Sequence, residues 1–159
     1  MPFKTADLLD AADPDVQVVA PGLTNFGGRT RFHGPIATVR SDNDNSRVRE
    51  LIWAPGEGRV LVIDNGGSLT CAMLGDMMAA KAIENGWKGV VINGCLRDSV
   101  EVGTMDLGVK ALATNPRRSV KEDRGEAGVT LEVLGAVFRP GEYLYSDEDG
   151  ILLSAEALL

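Results

Sequence analysis

Apolar and polar positions alternate at changing intervals along this chain. The unbroken apolar runs Val60-Leu61-Val62-Ile63 and Gly89-Val90-Val91-Ile92 are of strand length. A strand wet on one side would alternate, so such runs predict strands covered on both faces. Between them, residues 75–85 carry Met77, Ala80 and Ile83 at helical spacing, with Gly86 just beyond. That pattern predicts a helix with those three side chains inward. The result is a β-α-β unit of parallel strands, followed by a helical turn near Ser99 and a further strand over 109–113. Upstream, 5–11 reads as a helix with Thr5 as N-cap and Leu8 and Leu9 inward. Residues 25–29 read as a loop and 36–40 as a strand. Asn45 reads as the cap of a helix through Trp53, with Val48, Leu51 and Ile52 on one face.

The C-terminal part changes character. Residues 129–133, 136–138, 143–145 and 151–153 are short apolar stretches separated by Gly, Pro and Asp-Gly turns, the pattern of antiparallel strands. No repeat or linker interrupts the chain, so residues 1–159 read as a single α/β domain of mixed parallel and antiparallel sheet, parallel strands and helices packed on a β-layer. A chain of this length can bury a core without disulfide or metal staples.

Composition then removes several functions. The net charge is −7, and a nucleic-acid binder needs clustered Lys and Arg instead. Two cysteines and one histidine suit neither a disulfide framework nor a zinc site. No apolar run reaches membrane-spanning length, and residues 1–10 lack a signal-peptide pattern. The expected location is the cytoplasm.

Candidate chemistry gathers after the two buried strands, where open α/β sheets bind ligands. Asp64-Asn65-Gly66-Gly67-Ser68 follows the first, and Gly75-Asp76 opens the helix. Asn93-Gly94-Cys95-Leu96-Arg97-Asp98 follows the second. Parallel neighbours lie roughly 4.8 Å apart, so Asp76 and Arg97-Asp98 can converge on one pocket. Asp98 is a hard oxygen ligand for Mg²⁺ or Mn²⁺, ions that take one or two carboxylates and keep several waters. Arg97 offers a planar fork for a substrate carboxylate. The helix start, Gly75, Asp76, Met77 and Met78, presents free N–H groups to an anion. Asp76, and Glu101 three residues past Asp98, can orient metal-bound water. Spacing alone also allows a surface Arg-Asp pair and an Asp that merely complements the helix dipole.

Other residues read more blandly. His33 lies far from this motif and reads as structural, and Cys95 as a buried small residue. Lys81 or Lys110 would serve only a metal-free Schiff-base aldolase. Arg117, Arg118, Lys121 and Arg124 read as a solvated loop, with help in gathering an anionic substrate as the alternative, and Asp147-Glu148-Asp149-Gly150 as a hairpin turn.

With these motifs set out, the chain resembles the RraA-like family, which includes the regulator of ribonuclease activity A and the 4-hydroxy-4-methyl-2-oxoglutarate aldolases. The likeness runs through Asn25-Phe26-Gly27-Gly28-Arg29, residues 60–68, Gly75-Asp76, residues 94–98, Asp106-Leu107-Gly108-Val109 and residues 145–151. Aldolase members carry Asp, twenty residues, Arg-Asp, two residues and Glu. Here Asp76, Arg97, Asp98 and Glu101 reproduce that spacing. The resemblance implies an α/β/β sandwich of the swivelling β/β/α type, assembled as a homotrimer or a dimer of trimers with sites in clefts between subunits. It implies direct metal binding by Asp98, with Asp76 and Glu101 acting through water, and a pyruvyl carboxylate held by Arg97 and residues 75–78. The implied activity is cleavage of 4-hydroxy-2-oxo acids to pyruvate, with oxaloacetate decarboxylation. The alternative is a protein inhibitor of ribonuclease E. A methyltransferase ranks last, because Val62-Ile63-Asp64-Asn65-Gly66-Gly67 lacks the spaced glycines of a nucleotide turn. Val133, Val137, Phe138, Tyr143, Leu152, Leu153, Leu158 and Leu159 are the apolar residues expected to serve assembly.

Overall fold

The computed structural model describes residues 2–159. In chain order its elements are α1 (Thr5–Ala11), β1 (Gln17–Val18), β2 (Thr24–Asn25), β3 (Phe32–Arg40), α2 (Ser46–Trp53), β4 (Val60–Asp64), β5 (Ala72–Leu74), α3 (Asp76–Glu84) and β6 (Gly89–Leu96). There follow α4 (Ser99–Val102), β7 (Gly108–Thr114), β8 (Glu126–Ala127), β9 (Leu131–Val133), β10 (Ala136–Phe138), β11 (Tyr143–Ser146) and β12 (Ile151–Ser154).

Strands β3, β4, β6 and β7 lie side by side and parallel, and β5 adds in parallel to the end of β6. The long strand β3 changes partner along its length. Its second half, Ile36 to Arg40, pairs with β4. Its first half, Phe32 to Pro35, pairs antiparallel with β11, which leads on to β12 and β1. β2 closes the far edge against β7, and β9 and β10 form a separate hairpin.

The continuous apolar runs are explained by cover on both faces. Leu61, Ile63, Val90 and Ile92 pack against Val48 and Ile52 of α2 and Ala79 and Ala82 of α3. Val60, Val62 and Val91 point the other way, against Leu131, Phe138, Leu144 and Leu153. Alternate side chains of one strand therefore serve two cores, giving the expected three layers of helix, parallel sheet and β-layer. Phe32 clamps the sheet: a Cβ at Gly89 or Gly108 would lie 2.4 or 2.1 Å from its ring, so only glycine fits beneath it.

Several local expectations need correction. Thr5 is inside α1, not its cap; its hydroxyl and N–H both donate to the Asp147 carboxylate at 2.7 Å, while Leu9 is exposed. The inner face of α3 is Ala79 and Ala82, and Met77, Ala80 and Ile83 face outward. Small side chains let the helix approach the sheet, a requirement that hydrophobic spacing does not show. β6 runs on to Leu96 through a register shift, and the short strands β1, β2, β5 and β8 were not foreseen. Asn45 occupies the cap position of α2 without bonding it; Asp44 accepts the Ser46 N–H instead, at 2.8 Å. Val133, Phe138, Leu152 and Leu153 are buried within the chain and are not free for assembly.

Candidate active site

The C-terminal ends of β5 and β6 build one cleft. The Arg97 N–H donates to the Leu74 carbonyl at 2.9 Å, extending the β5–β6 pairing to the residue before Asp98. Asp98 then turns into the left-handed region, at φ 55° and ψ 41°, which Asp enters more readily than most L-residues. This turn starts α4, through a bond from the Val102 N–H to the Asp98 carbonyl. It also sends the carboxylate back toward α3, where Asp98 Oδ2 accepts the Asp76 N–H at 3.0 Å. A carboxylate there is favoured by the helix dipole.

Gly75 is required for space rather than for conformation. Its φ of −130° is ordinary, but a Cβ there would lie 2.8 Å from Asp98 Oδ2 and 3.4 Å from Arg97 Nε. With the Asp76 N–H given to Asp98, and the Ala79 N–H to the Gly75 carbonyl at 3.0 Å, the Met77 and Met78 N–H groups are left for an anion.

The cleft encloses about 280 Å³, and Gly75, Asp76, Met77, Met78, Arg97 and Asp98 all line it. Glu101 does not; it is exposed on α4. The rest of the lining comes from two other segments. Arg118, Ser119 and Lys121 come from the segment after β7, and Asn45, Arg49 and Trp53 from the start and length of α2. The Arg49 guanidinium lies 4.3 Å from the Trp53 ring centre, a cation–π contact. The basic segment is fastened by bridges between Ala72 and Arg118 and between Asp44 and Val120. Such long-range pairing leaves no mark in the local pattern, so the run of cations reads as solvated.

Asp44 holds this wall in place. It is fully buried and accepts the N–H groups of Glu122 at 2.6 Å and Arg124 at 3.4 Å, besides that of Ser46. Burial pushes its pKa up, but hydrogen bonds from Ser46, Glu122 and Arg124 outweigh burial and bring it down to about 2.

Among the described residues no group of three or more His, Cys, Asp or Glu side chains could hold a metal ion. A hydrated Mg²⁺ or Mn²⁺ does not need one, since a single carboxylate oxygen suffices with water filling the other positions. Asp98 fits that requirement: Oδ2 is engaged by the Asp76 amide, and Oδ1 lies on the same cleft-lining residue.

The residues read as bland lie elsewhere. His33 is exposed outside this cleft and stacks on Tyr145 with ring centres 5.6 Å apart. Cys95 is fully buried. Lys81 pairs with Glu84, and buried Lys110 donates to the Asp147 carbonyl at 2.8 Å. The glycine turn after β4 is held by Asn65 Oδ1, which accepts from Ser41 Oγ and the Asn43 N–H. It opens no helix, since β5 intervenes before α3. No helix among the described residues is long and apolar enough to cross a membrane.

Residues 5–153 match the model of the RraA-like family, described as Aldolase/RraA. A protein of Laribacter hongkongensis named "Putative 4-hydroxy-4-methyl-2-oxoglutarate aldolase" is 54% identical over 159 residues, covering 100% of both chains. Two solved structures each superpose with a TM-score of 0.94 at 44% identity over 98% of this chain. One, covered to 97%, is described as an S-adenosylmethionine: 2-dimethylmenaquinone methyltransferase from Geobacillus kaustophilus. The other, covered to 94%, is described as the RNA-processing inhibitor RraA from Thermus thermophilus.

Proposed function

We propose that this chain, which belongs to the RraA-like family, is a divalent-metal-dependent aldolase that cleaves 4-hydroxy-4-methyl-2-oxoglutarate and related 4-hydroxy-2-oxo acids to pyruvate, and that decarboxylates oxaloacetate at the same site. The observation that carries this reading is the meeting of Gly75, Asp76, Arg97 and Asp98 in one cleft, joined by the Asp98–Asp76 hydrogen bond. The name carried by the Laribacter relative supports it.

Asp98 would hold Mg²⁺ or Mn²⁺, whose positive charge would polarise the 2-oxo group. Arg97 grips the adjacent carboxylate with its planar fork, and the Met77 and Met78 N–H groups complete the anion site. This fixes the 2-oxo group beside Asp98. The C3–C4 bond then breaks with its electron pair passing to C3, while the C4 hydroxyl gives its proton to water in the cleft and C4 becomes a carbonyl; C3 then takes a proton back from that water, giving pyruvate. Asp76, at the cleft, is placed to act on water around the cation; Glu101 has no such position in the single chain.

The proposed assembly is a homotrimer. Met77 is 81% exposed and Val100 79%, and both sit beside the motif. With Leu159, 58% exposed, they are the apolar surface that a neighbouring subunit would cover. Sedimentation giving a mass near 16.9 kDa would rule the trimer out.

The activity is tested by pyruvate release from a panel of 4-hydroxy-2-oxo acids and oxaloacetate, with and without Mg²⁺. Metal-dependent release is expected; none from any of them would overturn the reading. A second reading, a protein regulator of ribonuclease E, is favoured by the likeness to the Thermus inhibitor. Inhibition of that ribonuclease by the purified chain would support it.

A further inference from the structure

Two polar side-chain atoms in the lining of the cleft have no partner. Ser119 is 7% exposed and Asn45 9%, and both line the cleft. Ser119 Oγ and Asn45 Oδ1 are buried and accept or donate no hydrogen bond within the protein. Buried polar atoms are nearly always satisfied, so an orphan needs an explanation. Two orphans in one cleft need a common one.

The backbone brings them there together. The Asn45 N–H donates to the Val120 carbonyl at 3.3 Å, beside the bridge between Asp44 and Val120. Asn45 therefore starts α2 next to the residue that follows Ser119. Neither side chain is needed where it stands for local structure. Asn45 makes no cap bond to α2, and its amide nitrogen reaches only Met78 Sδ, at 3.6 Å.

Their chemistry selects the answering group. An amide oxygen only accepts, whereas a serine hydroxyl also donates. A ligand carboxylate would satisfy Ser119 but leave Asn45 Oδ1 facing another acceptor. A ligand hydroxyl answers both, donating to Asn45 Oδ1 and accepting from Ser119 Oγ. The carboxylate end of a substrate is taken by Arg97, which lines the same cleft.

We propose that Asn45 and Ser119 form a hydroxyl-recognising subsite, which makes the cleft selective for 2-oxo acids bearing a hydroxyl on C4 over those lacking it. The proposal rests on the aldolase reading for the placement of the 2-oxo carboxylate at Arg97. The subsite makes a polar contact that a plain 2-oxo acid cannot return, so the analogue leaves both groups unpaired.

Calorimetry of the protein without Mg²⁺, where the proposed cleavage does not run, tests this, using 4-hydroxy-4-methyl-2-oxoglutarate and 2-oxoglutarate as paired ligands. The wild type should bind the hydroxylated acid more tightly. Ser119→Ala and Asn45→Ala should each shrink the ratio of the two affinities by about tenfold, the scale of one lost hydrogen bond that leaves its partner buried. Equal binding of both acids by the wild type would overturn the proposal. So would variants that weaken both acids by the same factor, because that pattern means the residues only shape the cleft. A wild type that cleaves neither acid but keeps the binding difference would overturn the aldolase reading and support the subsite. Thermal melting of each variant separates loss of fold from loss of selectivity.

Discussion

Strand β4 serves two regions that differ in what they ask of their residues. On one face Val60 and Val62 meet the β-layer, where Leu131, Phe138 and Leu144 are fully buried. On the other, Leu61 and Ile63 meet α2 and α3, whose N-terminal ends border the cleft. Both faces are equally dry, yet only the helical side borders the chemistry. The β-layer is built to exclude water. The helical side also excludes water, but it leaves Asn45 Oδ1, Ser119 Oγ and the Met77 and Met78 amides without partners in the chain. Stability and function are thus divided across one sheet.

That division gives substitutions opposite signatures. Phe138→Ala, in the β-layer, should cost about 3–5 kcal/mol of stability through lost burial and a cavity. Activity per folded molecule should stay at the wild-type level; chemical denaturation and active-site titration read the two separately. A specific loss of turnover would show that the layers are coupled. Arg97→Lys, in the cleft, should do the reverse. It keeps charge but loses the fork, costing about 1.5–3 kcal/mol, or roughly ten- to a hundredfold in rate or binding. Steady-state kinetics beside a melting curve checks this, and unchanged kinetics would remove Arg97 from carboxylate binding.

Asp44 sharpens the comparison with a smaller effect, read in acid. Its carboxyl lies at about 2 in the fold against 3.8 as an ordinary aspartate, so the fold favours the charged form. That stability is complete above the ordinary value and is lost as pH falls from there through about 2. Melting temperature should therefore drop across this acid window, and Asp44→Asn should flatten part of the drop. An identical acid profile in the variant would mean that Asp44 does not fasten the basic wall.

The two regions were also unequally legible. The β-layer hairpins are local, so turn residues and alternation placed β9 to β12 within a few residues. The two-faced runs placed β4 and the start of β6. The motif half of the cleft was legible because Arg97 and Asp98 follow β6 and Gly75 and Asp76 open α3. The other half was not. Arg118, Ser119 and Lys121 reach the cleft only because buried Asp44 folds their segment back onto α2, and that contact spans 78 residues between Asp44 and Glu122. The inner face of α3 was misread because Ala79 and Ala82 are weakly apolar yet fully buried. There the closeness of the helix to the sheet outweighs hydrophobic size.

The central claim is that Asp98 carries the metal-dependent chemistry, and Asp98→Ala tests it most directly. Pyruvate release from 4-hydroxy-4-methyl-2-oxoglutarate should be measured across a Mg²⁺ titration for the wild type and the variant, each confirmed folded by its melting curve. The account predicts saturable Mg²⁺ activation in the wild type and no metal-dependent turnover in a folded Asp98→Ala protein. Full Mg²⁺-dependent turnover in that variant would contradict it.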